Sequence, residues 1–211
     1  MAETMHLIAG KGGGSTVVEA LLTLAHIPFT REELVWEDIY ATSKRLKAVN
    51  PAGHVPALIL PSGEVVTESM ALALLIDEWA PEARLAPERG DPMRARYLRF
   101  QAMICASIYP MWTFDDRPER YVGEDPNAQK MLRQRTMKRR KELWRILEAQ
   151  LDGKPWALGK ALSTLDVFIG VMTRWRPRRQ WFEKQCPKLY SIATRVDALP
   201  ALRPVIARNY E

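Results

Sequence analysis

The predicted order of elements divides this 211-residue chain into an α/β part over residues 1–80 and an all-helical part over residues 92–211. Three observations carry the division. Residues 5–36 read as strand, glycine loop, helix and strand. Residues 57–79 read as strand, turn, strand and helix. After Pro92 the apolar residues recur at helical spacing, and no further strand pattern emerges.

In order, Met5–Ala9 is a short apolar strand, and Gly10-Lys11-Gly12-Gly13-Gly14-Ser15-Thr16 leads into a helix over Val17–Ala25. Thr16-x-x-Glu19 has the form of a capping box, placing the helix start near Ser15 or Thr16. Ile27-Pro28-Phe29 ends that helix, and Glu33–Trp36 reads as a second strand, paired parallel with the first through a β-α-β connection. Tyr40–Val49 is an amphipathic polar stretch, expected as a short irregular helix. Asn50-Pro51 and Gly53 then break the chain. Pro56 opens the apolar run Ala57-Leu58-Ile59-Leu60, short enough to be a buried strand. Pro61-Ser62-Gly63-Glu64 has turn chemistry, and Val65-Val66 returns as its hairpin partner. Ser69 is placed to cap a helix over Met70–Trp79.

Pro81–Asp91, with two prolines, a glycine and five charges, is expected as a linker. Beyond it, Tyr97, Phe100, Met103, Ile104 and Ile108 mark one helix over Met93–Met111. Leu132, Leu143, Ile146, Leu147 and Leu151 mark another over Leu132–Leu151. Ser163-x-x-Asp166 is a second capping box, with Leu162 and Val167 as its staple. Pro177 ends the helix it opens, and Cys186 through Pro204 reads as two short helices.

Composition limits the function classes. Hydrophobic residues are 47% and charged residues 27%, as in an ordinary globular protein. No apolar run approaches the ~20 residues of a membrane helix. Met1–Met5 lacks a signal-peptide layout, so the expected location is the cytoplasm. Cys105 and Cys186 have neither CxxC nor metal spacing and are expected as thiols. Residues 1–80 hold 5 Lys+Arg against 10 Asp+Glu, net −5; a total of +6 leaves +11 for the rest. An acidic first part disfavours nucleic acid, while a basic second part suits small anionic ligands.

Asn50-Pro51-x-Gly53-x-Val55-Pro56-x-Leu58, followed by Glu68-Ser69 at a helix start, resembles the glutathione-binding half of the glutathione transferase family. The likeness is to cytosolic, bacterial-type members. It implies a thioredoxin-like fold for residues 1–80 and a cis bond before Pro56. The helical second domain would contribute the site for the electrophile. Ser163-x-x-Asp166 resembles the capping motif of that second domain and extends the likeness over nearly the whole chain. A homodimer and detoxification chemistry are also implied, with glutathione as co-substrate.

The residues suit that ligand on chemical grounds. Backbone at Val55, released from the sheet by Pro56, can pair with the cysteinyl peptide as an added strand. Ser69 and the first amides of its helix suit a carboxylate, and Glu68 suits the ammonium of the same γ-glutamyl group. His54 stands where the family often has a polar side chain. Lys44 and Lys47 lie where the glycyl carboxylate can be met, though a solvated face explains them equally well. The family activates the thiol with a loop Tyr, Ser or Cys, because a hydrogen-bond donor favours the thiolate. Here the loop offers Ser15, with Thr16 as the weaker candidate; either can instead only cap its helix, and the glycine amides are a third donor set. Tyr109, Trp112 and Phe114 are candidates for the electrophile's pocket.

Two competing readings are weaker. Lys11-Gly12-Gly13-Gly14-Ser15 lacks the lysine that a nucleotide phosphate loop carries before its hydroxyl. The basic groups at 133–141 and 174–179, the second interleaved with Trp175 and Trp181, invite nucleic acid; a solvated helix face and ordinary packing account for them more simply. The reading is therefore a transferase that binds no nucleic acid and no membrane. Its alternative is a non-catalytic ligand-binding scaffold, favoured by a loop without a clear activating residue.

Overall fold

A computed structural model of the chain describes residues 4–41 and 43–211. Residues 1–3, part of the stretch read for a signal peptide, and Thr42, inside the expected helix over Tyr40–Val49, lie outside the described residues.

Among the described residues, four strands form one mixed sheet in the order β2-β1-β3-β4. β1 (Met5–Gly10) pairs parallel with β2 (Phe29–Leu34), from Met5 opposite Phe29 to Gly10 opposite Leu34. β3 (Ala57–Ile59) runs antiparallel to β1, and β4 (Val65–Val66) antiparallel to β3. The second strand lies earlier than expected: Trp36 opens a helix, α2 (Trp36–Tyr40), rather than closing a strand. α3 (Lys44–Val49) follows, capped by the Ser43 hydroxyl, which accepts from the Leu46 amide.

Alternation along β1 sends its side chains to two cores. Leu7 and Ala9 join α1 (Ser15–Leu24) and α4 (Ser69–Trp79) on one face. Ile8 joins Leu34, Ile39, Leu46, Val55 and Ala57 under α2 and α3 on the other. The sheet is covered on both sides, and α1 is buried all round from Ser15 to Leu22 because the helical part packs over its outer face. The family's thioredoxin-like first part and helical remainder are thus present.

The helical part begins after a 3-10 turn at Pro81–Ala83. Within the segment expected as a linker, Leu85 is buried, and its carbonyl accepts from the Thr164 amide at 2.8 Å. The helix expected over Met93–Met111 is α5 (Arg94–Ala102), a π-helical turn at Met103–Ile108, and α6 (Pro110–Asp116). α7 (Glu119–Val122) and the long α8 (Pro126–Gln150) follow. The buried stripe of α8 is Thr136, Arg140, Leu143, Trp144 and Leu147. Ile146, assigned to that stripe from sequence, is instead exposed.

α9 (Thr164–Met172) is buried along its whole length, and its capping box is present. The Asp166 carboxylate accepts from the Ser163 amide and hydroxyl, both at 2.8 Å, and from the Ala157 amide at 2.7 Å. α10 (Arg179–Gln185), α11 (Pro187–Asp197) and α12 (Arg203–Tyr210) complete the chain.

Candidate active site

A cleft of about 270 Å³ lies between the sheet part and α6, lined on one side by residues 50–69 and on the other by Cys105, Tyr109, Trp112 and their neighbours. Its polar end is built locally. The Asn50 carboxamide accepts from the Ala52 amide at 3.0 Å and donates to the His54 carbonyl at 2.8 Å, closing the turn through Pro51 and Gly53. Gly53 has φ +73°, a conformation glycine adopts without a Cβ penalty. The Val55–Pro56 bond is cis, as the family likeness implied. Among the described residues, no hydrogen bond takes the amide or carbonyl of Val55, which lies just before β3.

Glu68 stands at φ +67°, rare for a residue with a side chain, immediately before α4. Ser69 is the first residue of α4 rather than its cap, and no side chain among the described residues caps that helix. His54, Val55, Pro56, Glu68 and Ser69, expected from sequence to contact glutathione, all line the cleft; Lys44 and Lys47 do not.

The glycine loop corrects two assignments. Ser15 is fully buried; its hydroxyl donates to the Gly10 carbonyl and accepts from the Gly10 amide, each at 3.0 Å. Thr16 is also buried, and its hydroxyl donates to Asn209 Oδ1 at 3.0 Å. Neither lines the cleft, so neither loop hydroxyl is presented to a ligand. The physical reason is that α1 starts at Ser15 and is enclosed on every side, which turns both side chains into the protein. The expected Thr16–Glu19 capping box is also absent. Gly14 precedes the helix without a side-chain cap, and Glu19 instead takes Arg31, Arg208 and Asn209.

The loop is held from distant parts of the chain. Asn209 Oδ1 accepts from the Gly12 amide at 3.1 Å, Trp175 Nε1 donates to the Gly12 carbonyl at 2.8 Å, and Trp36 Nε1 to the Lys11 carbonyl at 2.9 Å. The amides of Gly14 and Ser15 have no acceptor among the described residues, as befits the open start of a helix.

The opposite wall comes from the π-helical turn and α6. Cys105, Tyr109, Trp112 and Asp116 follow one another at helical spacing into the cleft. Burial pushes the Cys105 thiol up to about 12 and also raises the Tyr109 phenol, so both stay protonated near neutral pH. Burial also raises Asp116, against the pull of Arg176. Phe114, the third aromatic expected here, packs edge-on against Tyr121 at 4.8 Å and does not line the cleft. Helix geometry explains this, since residue 114 lies two positions after Trp112 and points to another face.

Sequence reasoning missed Arg117 and Arg120, which line the cleft and donate to the Tyr40 carbonyl at 2.8 and 3.3 Å, joining α2 to the helical part. Cations following a helix end give no distinguishing signal in sequence. It also missed Arg140, grouped with a solvated face but fully buried against Asp115 at 2.8 Å and stacked 4.4 Å from the Trp112 ring. Several residues of the stretch interleaved with tryptophan are engaged within the protein, although Arg176 and Arg178 are exposed. Arg174 and Arg179 pair with Asp197, Arg176 pairs with Asp116, and Trp175 bonds to the loop.

The profile of the glutathione S-transferase N-terminal domain matches residues 15–79. The GST-like protein YncG of Escherichia coli K12, itself uncharacterized, is 36% identical over 199 residues, covering 94% of this chain and 95% of its own. This chain therefore belongs to the glutathione transferase family. The crystal structure of a Sulfitobacter glutathione transferase homolog with bound glutathione superposes with TM-score 0.83 at 21% identity, covering 97% of this chain and 98% of its own. A sphingomonad glutathione S-transferase complexed with glutathione gives 0.79 at 23% identity, covering 98% and 100%. At these identities the two structures speak to the fold.

Proposed function

We propose that the chain is a glutathione transferase that binds glutathione along residues 54–69 and adds its sulfur to an apolar electrophile held against the helical part. The observation that carries this reading is one cleft lined by backbone at Val55 that is unpaired among the described residues, a charged helix start at Glu68-Ser69, and an aromatic wall at Tyr109 and Trp112. The α4 amides and the Ser69 hydroxyl would take the γ-glutamyl carboxylate, and Glu68 its ammonium. His54 would stand beside the cysteinyl peptide. Arg117 and Arg120 bring positive charge to the same cleft, suited to the ligand's remaining carboxylate. Residues 1–80 would hold glutathione, 81–91 would link the parts, and 92–211 would form the electrophile's site. A cytoplasmic homodimer acting in detoxification is the form the family likeness supports.

Calorimetric titration with glutathione, followed by conjugation of a generic aryl halide, tests the reading. Saturable binding and glutathione-dependent product formation are expected. Absence of binding would overturn it. A second reading, a glutathione-binding scaffold without chemistry, is favoured by one observation: both loop hydroxyls are engaged inside the protein. Binding without conjugation would select it.

A further inference from the structure

A Cβ built on Gly14 would lie 1.8 Å from the hydroxyl oxygen of Tyr109. The glycine is therefore required by the close approach of this phenol to the loop backbone, at the start of α1. Tyr109 comes from the end of the π-helical turn, 95 positions further along the chain. Its ring is held by Trp175, at 5.3 Å between centroids, and by Trp112, edge-on at 6.4 Å. Trp175 is itself bonded to the Gly12 carbonyl, so phenol and loop are fixed to one another through a shared indole.

The Tyr109 hydroxyl has no hydrogen-bond partner among the described residues, although the residue lines the cleft. Burial first, and then the titratable groups facing it (Cys105, Asp116, Glu68 and Tyr210), oppose ionisation of the phenol. It is a neutral O–H donor with no acceptor among the described residues, beside Gly14 in the loop whose own hydroxyls are engaged inside the protein.

We infer that Tyr109, supplied by the helical part, donates the hydrogen bond that stabilises the thiolate of bound glutathione, in place of a loop side chain. The inference rests on the glutathione reading above. On binding, the thiol proton leaves to bulk water and the sulfur keeps the electron pair. Tyr109 retains its own proton and shares it with the sulfur through the hydrogen bond. When the thiolate attacks an electrophile, the bond to Tyr109 lengthens as charge leaves the sulfur. The open Gly14 and Ser15 amides add to the same positive surroundings.

The test is the ultraviolet absorbance of the glutathione thiolate against pH in the binary complex, for wild type, Tyr109→Phe and Gly14→Ala. Burial pushes both Cys105 and Cys186 up to about 12, so the protein's own thiols stay silent over the range scanned. Wild type is expected to lower the thiol pKa from its free value. Tyr109→Phe, which keeps the ring and its two tryptophan contacts, should raise the bound pKa by about one to two units, as loss of a hydrogen bond to a charged group implies. Calorimetric glutathione affinity, measured above the thiol's pKa and below it, should fall only above it. Gly14→Ala should shift the pKa in the same direction by displacing the hydroxyl. A lowered pKa that survives Tyr109→Phe unchanged overturns the inference, assigns the work to the loop amides, and leaves the glutathione reading standing. No binding by the wild type overturns that reading itself. Binding by the wild type with no lowered pKa overturns the inference and selects the scaffold.

Discussion

The two ends of the cleft are built in opposite ways. The polar end comes from one stretch of 20 residues, Asn50 to Ser69, whose turn, cis proline and helix start are closed by contacts at most a few positions apart. The other end joins the Gly10–Thr16 loop to Trp36, Tyr109, Trp175 and Asn209, partners up to 197 positions away. A locally built end can tolerate loss of a side chain without loss of the fold. An end assembled from distant elements couples its geometry to the packing of the whole protein.

The largest effect that would sharpen this contrast is expected at Asn209. Asn209→Leu removes the acceptor of the Gly12 amide and the Thr16 hydroxyl, and a donor to the buried Glu19. Leaving such groups buried and unpaired should lower stability by about 2–4 kcal/mol. Denaturant unfolding measures it, and glutathione affinity should fall with it as the loop loosens. A change in affinity with full stability would break the idea that loop and fold are coupled.

At the polar end the balance should reverse. Ser69→Ala is expected to weaken glutathione binding by about 1.5–3 kcal/mol, as for a hydrogen bond to a charged group, and to leave stability within ~0.5 kcal/mol. Calorimetry and thermal unfolding on the same variant separate the two. Unaltered affinity would place the γ-glutamyl group elsewhere.

The smallest effect concerns Glu32 on β2, remote from the cleft. Hydrogen bonds from Arg45 and His6 hold its carboxyl at about 2, down from 4.5. A depressed folded pKa gives stability that is present above about pH 4.5 and is lost as pH falls toward 2. Because the pair with Arg45 is partly exposed, solvent screening limits the gain to roughly 1 kcal/mol or less. Glu32→Gln should flatten the acid limb of a stability-against-pH curve over that interval and leave glutathione binding unaltered.

The same contrast explains which parts of the site could be read from sequence. Pro56, Glu68 and Ser69 carry their meaning in their immediate neighbours, because backbone turns and helix starts are decided over a few residues. The helical periodicity of the second part was equally legible, and so was the Ser163–Asp166 cap. The π-helical turn was not, since it interrupts one continuous helical run, and Pro110 just after it gives no sign of the wider turn before it. Nor could Arg140 be told from its exposed neighbours, as its buried partner Asp115 lies on another helix.

By itself the sequence determined the βαβ start, the hairpin and helix that follow, the all-helical remainder and the residues of the polar end. The elements follow from periodicity and local backbone chemistry, while the polar-end residues are singled out by a motif that resembles the glutathione transferase family. Only the tertiary structure decided where each loop group points. Ser15 and Thr16 have the right chemistry at the right place in the chain, but α1 is enclosed on every side and turns both inward. The aromatic cluster around Trp175 holds the Tyr109 hydroxyl, unpaired among the described residues, against Gly14 at the start of the same helix. Burial and long-range packing set that choice, because a side chain's direction depends on what surrounds its helix, and sequence neighbours carry no record of it.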